Sequence, residues 1–140
     1  MSQRMDHIID TYINVWNGAS TDLLDDIVAT DIQRDAGSFQ KADGLEALKA
    51  QITDFRTAFP DTDLTIRERA YGDDFLFCIW TFNGTNTGPG EFPATGRSVN
   101  VSGSTLIRVR DGRMFEEDVH FDVLSYMNQL GFELQEPTTA

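Results

Sequence analysis

The stretch SVNVSGSTLIRVRDGRMFEEDVHF, residues 98–121, decides how the chain is read. Asp111-Gly112 sits in its middle, and an Asp-Gly pair between alternating apolar residues is the strongest short signal for a two-residue hairpin turn. Val99, Val101, Thr105, Ile107 and Val109 recur at even spacing before the turn, as side chains on one face of a strand do. The pattern predicts one strand over residues 98–110 and a second over 113–121. With a two-residue turn, Val109 lies opposite Met114 and Thr105 opposite Asp118. Met114, Glu116, Asp118 and His120 then share the apolar face, and Asp122 follows just past the strand.

Acids and an imidazole on an apolar face point to chemistry. Apolar surroundings raise a carboxyl pKa and a neighbouring imidazolium or arginine lowers it again, which is how a general acid or base is poised near neutrality. Asp118, His120 and Asp122 are the candidate catalytic residues on this reading. The competing reading is an outward face whose acids are only solvated. Arg34 and Arg108 are candidate electrostatic partners, weighed against a plain surface role.

Working outward, residues 64–71 alternate apolar and charged positions and read as a half-exposed strand. Residues 75–82 form a continuous apolar run, hence a covered strand, and residues 83–96 hold four glycines and two prolines, hence a long loop. Before these strands the period becomes helical. Met5, Ile9, Tyr12 and Trp16 mark an amphipathic helix over residues 3–17, stopped by Asn17-Gly18. Ser20 or Thr21 caps a short second helix carrying Leu23, Leu24, Ile27 and Val28. A third begins near Asp43-Gly44, carries Leu45, Leu48, Ile52, Phe55 and Phe59, and ends at Pro60. Residues 31–39 between them read as a short strand and a loop, and residues 123–130 as a terminal helix. Three helices followed by an antiparallel meander define an α+β chain: one curved sheet with the helices on its concave face. Tyr12, Trp16, Phe55, Phe59 and Trp80 are the candidate pocket lining, against the plainer reading of core aromatics.

Length and composition agree with one domain, taken here as residues 1–135 with a frayed tail at 136–140. Lys+Arg 11 against Asp+Glu 23 leaves a net charge of −12. Such a surface repels nucleic-acid phosphates and anionic lipid, so neither nucleic acid nor membrane is an expected partner. No stretch approaches the ~20 apolar residues of a membrane span, and the first residues lack a signal peptide's apolar run; a cytoplasmic protein is expected. His7 and His120 stand in no metal-ligand spacing and the single cysteine, Cys78, lies in the most apolar run, so no metal is expected. The glycines of residues 84–90 fit no phosphate-binding pattern.

Several strings in order resemble one family: Gly44-Leu45-Glu46-Ala47-Leu48, Ala58-Phe59-Pro60-Asp61, Tyr71-Gly72-Asp73, Gly84-Thr85-Asn86-Thr87-Gly88, Pro93-Ala94-Thr95-Gly96-Arg97, Arg110-Asp111-Gly112-Arg113, and Asp122 before Gln129-Leu130-Gly131. Together they are similar to the SnoaL-like polyketide cyclase and ester cyclase family. The resemblance implies a cone-shaped α+β barrel of the nuclear-transport-factor-like superfamily, with a pocket between helices and sheet and a homodimer formed through the sheet's outer face. It also implies a pocket aspartate acting as acid and base in an intramolecular aldol closure, with no metal or cofactor. Asp122 matches that aspartate. Asp118 stands where many relatives carry tryptophan, and Ser102, Ser104 and Thr105 stand where some carry a histidine.

The expectation is therefore a cofactor-independent cyclase, isomerase or lyase working by proton abstraction on a small hydrophobic carbonyl compound. Asp118 or Asp122 would be the acid/base and His120 its hydrogen-bonding partner. Two alternatives stay open: a non-catalytic ligand-binding or dimerisation module, and an epoxide hydrolase, dehydratase or isomerase using the same carboxylates.

Overall fold

The computed structural model describes residues 2–37 and 40–138. Ser38 and Phe39 of the expected loop, and the last two residues of the expected tail, lie outside the described residues. Helix α1 (Ser2–Trp16) buries Met5, Ile8, Ile9, Tyr12, Val15 and Trp16 on one face, the three-and-four spacing of an amphipathic helix. The Asn17 side chain that follows exchanges two hydrogen bonds with the backbone of Leu64, at 2.9 and 2.8 Å. The expected second helix is a 3-10 turn (Thr21–Leu23) running into α2 (Leu24–Ile27); Ser20 caps it by accepting from the Asp22 backbone N–H. Val28 belongs to the next element, strand β1 (Val28–Asp35), which starts earlier than its sequence suggests.

A short strand β2 (Lys41–Asp43), absent from the sequence reading, pairs with β1 and leads into α3 (Leu45–Ala58). The long strands are β3 (Asp63–Tyr71), β4 (Phe75–Thr85), β5 (Ser98–Arg110) and β6 (Arg113–Phe121), and α4 (Val123–Gln129) closes the fold. The sheet runs β2-β1-β6-β5-β4-β3. Every pairing is antiparallel except β1 with β6, which is parallel. With β2 and β3 at its two edges, the curved sheet of the expected cone-shaped α+β fold stays open.

Helix α3 packs on β1 and β2, α1 on β3, and α4 on β5. The core lies between these helices and one face of the sheet. At the β5–β6 turn, Asp111 and Gly112 both take positive φ, 53° and 75°, the geometry that makes Asp-Gly suited to a tight hairpin. Beyond the turn the ladder is interrupted: Val109 pairs with Met114, but Arg108 pairs with Glu116. Phe115 is the extra residue of a β-bulge, and such a residue shifts the side-chain alternation by one. Val119 and Glu117 are buried as a result, while Asp118 and His120 are exposed.

Candidate active site

A cavity of about 80 Å³ lies between the helices and the inner face of the sheet. Helix α1 contributes Tyr12 and Trp16, α3 Phe55, β4 Trp80, and α4 Tyr126. Its polar end is built by three strands: Arg34 on β1, Thr105 on β5 and Glu117 on β6.

Parallel pairing sets Arg34 directly beside Glu117. Arg34 is 8% exposed and Glu117 3%, and the Arg34 Nε donates to Glu117 Oε1 at 2.9 Å. The Tyr12 hydroxyl donates to the same oxygen at 2.5 Å. Arg34 is further fixed by donation from Nη1 to Gln51 Oε1 at 2.8 Å, and its guanidinium lies 5.0 Å from the centre of the Trp16 ring. An unpaired charge in such a place would cost several kcal/mol, so each ion requires the other.

The remaining carboxylate oxygen differs. Among the described residues no side chain or backbone group bonds to Glu117 Oε2, and Glu117 has no fully enclosed polar atom left without a partner. Glu117 lines the cavity, so its carboxylate stands at the cavity's polar end. Burial, reinforced by the charge of Glu117, pushes the Tyr12 hydroxyl well above its usual pKa, so it stays a proton donor at neutral pH. Burial works against the Arg34 cation, but Glu117 outweighs it and the pKa of Arg34 rises. Trp80 Nε1 donates to Thr105 Oγ1 at 3.1 Å, which orients that hydroxyl at the cavity wall. The Cys78 thiol is pushed up to about 12, first by burial and then by Glu117, so it is no nucleophile at neutral pH.

The expected catalytic row lies away from this cavity. Asp118, His120 and Asp122 are all exposed and none lines the cavity. The bulge at Phe115 turns Asp118 and His120 to the outer face. Asp122 instead caps α4, accepting from the Ser125 backbone N–H at 2.9 Å. Tyr12, Trp16, Phe55 and Trp80 do border the cavity. Phe59 is enclosed behind it, edge-on to Phe82, and borders a groove outside. Arg34 is buried and paired, whereas Arg108 is exposed. Glu117 escaped the sequence reading, although a signal was present: Val119 and Phe121, counted back from the strand's end, place Glu117 on their own side.

The open curved sheet with helices across one face leaves a partly charged cavity between them. The family model of the SnoaL-like polyketide cyclases matches residues 6–130, and the chain belongs to that family. Solved structures agree on the fold. A proposed SnoaL-like polyketide cyclase from Jannaschia sp. CCS1 superposes with a TM-score of 0.84 at 19% identity, over 95% of this chain and 94% of that one. TsrD from Streptomyces laurentii gives 0.82 at 22% identity, over 92% and 96%. IdmH, a proposed polyketide cyclase from Streptomyces antibioticus, gives 0.74 at 23% identity, over 93% and 99%. No curated protein matches the chain in sequence.

Proposed function

We propose that the protein performs acid/base chemistry, without a cofactor, on a small hydrophobic carbonyl compound, with Glu117 as the proton acceptor. The observation that carries this reading is the division of labour within one carboxylate. Oε1 is held by Tyr12 and Arg34, while Oε2 has no hydrogen-bond partner among the described residues and Glu117 lines the cavity. Oε2 takes a proton from the carbon next to the substrate carbonyl, and the electron pair moves onto the carbonyl oxygen as an enolate. Thr105, its oxygen already fixed by Trp80, offers its own O–H to that oxygen. As Glu117 is neutralised, the negative charge passes to the enolate in the same cavity, so Arg34 is never left without a counter-charge. In an aldol-type closure the enolate carbon bonds to a second carbonyl carbon of the same molecule, and the new alkoxide takes the proton back from Glu117.

The test is deuterium exchange at the α-carbon of cyclohexanone in D2O, followed by proton NMR. The native protein should accelerate exchange over buffer, and Glu117→Gln should lose at least ~10²-fold of that acceleration. Asp118→Asn and Asp122→Asn should retain it. A Gln variant as fast as native removes Glu117 from the chemistry. The non-catalytic alternative draws on the completeness of the Arg34–Glu117 pair; it predicts binding of the ketone with no exchange above buffer.

A further inference from the structure

Outside the cavity lies a larger groove of about 820 Å³, walled by α3, by the loop after β4 and by α4. Cavity and groove share Trp16, Gln40, Phe55 and Tyr126 as walls, so only these side chains stand between them there. The groove's wall is firmly built. Asn86, 1% exposed, donates to the carbonyls of Ala58 and Gly88 and accepts from both the N–H and the hydroxyl of Thr95. Gly88 sits so close to α3 that a Cβ there would fall 1.8 Å from the Thr57 carbonyl oxygen.

Two features of the groove bear on its occupant. Tyr126, on the shared wall, is 7% exposed, and its hydroxyl has no hydrogen-bond partner among the described residues. Burial, with the charge of Glu91, pushes that hydroxyl up to about 12, so it remains a donor. Among the described residues the charged side chains lining the groove are Asp54 and Glu91, and no lysine or arginine lines it; Arg34, paired with Glu117, stands behind the wall residues Trp16 and Gln51. Apolar surface comes from Pro89, Phe92, Met127 and Phe132.

We propose that cavity and groove form one two-compartment site for an elongated, uncharged ligand, whose carbonyl oxygen is anchored at the junction by the Tyr126 hydroxyl and whose free-acid form is excluded by Asp54 and Glu91. This rests on the acid/base reading for what happens at the inner end, but not for how the ligand is held. The cavity alone is too small for a two-ring compound, since ligand pockets run to about 300–1,000 Å³. The groove supplies the missing length, and Tyr126 is a positioning residue at the boundary.

The experiment is fluorescence titration with prodan, a neutral naphthyl ketone, against 6-dimethylamino-2-naphthoate, its anionic counterpart. Each is read in the native protein as binding rather than as proton exchange, so a failed exchange assay leaves this test intact. Prodan should bind saturably with a blue-shifted emission, and the naphthoate at least about tenfold more weakly. Ala50→Trp, on the exposed groove side of α3, should weaken prodan by at least about tenfold. Tyr126→Phe should weaken it about three- to tenfold with an unchanged melting temperature, because that hydroxyl bonds no group among the described residues. Asp54→Asn with Glu91→Gln should narrow the gap between the two probes. No saturable prodan binding, a naphthoate bound as tightly as the ketone, or Ala50→Trp and Tyr126→Phe variants indistinguishable from native would overturn the proposal.

Discussion

Glu117 is held by the Tyr12 hydroxyl and the Arg34 guanidinium where it lines the cavity. Its partner was harder to read from the sequence. Residues 28–35, VATDIQRD, carry only two strongly apolar anchors, Val28 and Ile32, and nothing local marks Arg34 as the next inward position. Only the pairing of β1 with β6 places it beside Glu117, and that contact joins residues 83 positions apart. Truncating Arg34 isolates a buried charge. Arg34→Met should therefore cost about 3–5 kcal/mol, seen as a lowered urea midpoint. Arg34→Met with Glu117→Leu should recover most of that loss; a double variant no better than the single one would argue that packing, not charge, holds the site.

At the scale of elements, the hairpin was legible and its phase was not. Asp111-Gly112 fixes the turn and Val109 opposite Met114, as the alternation predicts. Counting on by twos reaches Asp118 and His120; counting back from Phe121 reaches Val119 and Glu117. The two apolar phases conflict, and inserting one residue, Phe115, satisfies both by keeping Met114 and Val119 inside. Two adjacent apolar residues followed by two adjacent acids, Met114-Phe115-Glu116-Glu117, are the visible trace of that bulge. Asp122 illustrates a different limit, because a family-matched position carries a residue whose contact here is a helix cap. Asp122→Ala should lower stability by about 0.5–2 kcal/mol, measured by thermal melting, while α-proton exchange stays at the native rate.

For the molecule as a whole, the acidic composition predicts a characteristic pH response. The Tyr71 hydroxyl and Arg69 hold Asp6 below the usual carboxylate pKa, His7 and Arg4 hold Asp26 down, and the Thr85 backbone N–H does so for Asp61. These contributions are complete above the unfolded value of about 3.9 and vanish as pH falls through the folded values. At the other extreme, burial raises Tyr126 and Cys78 to about 12, so their share is present below their unfolded values and fades as pH climbs from about 9 to 12. Urea midpoints should form a plateau between these limits; a midpoint rising below pH 4 would reverse the assigned signs. Added salt should raise the plateau by screening a net charge of −12. The helices, the long strands and their order along the chain were plain from periodicity, whereas β2 is three residues long and leaves no such trace. The site depends on which side of β6 the molecule turns inward. Thiol reactivity reads that directly, because Cys78 is buried and its thiol stays protonated at neutral pH. Single cysteines at Asp118, Val119, His120 and Phe121 should react with a bulky maleimide in alternation, fast at 118 and 120 and slow at 119 and 121. Fast labelling at 119 and 121 with protection at 118 and 120 would contradict the inward placement of Glu117 and the site built on it.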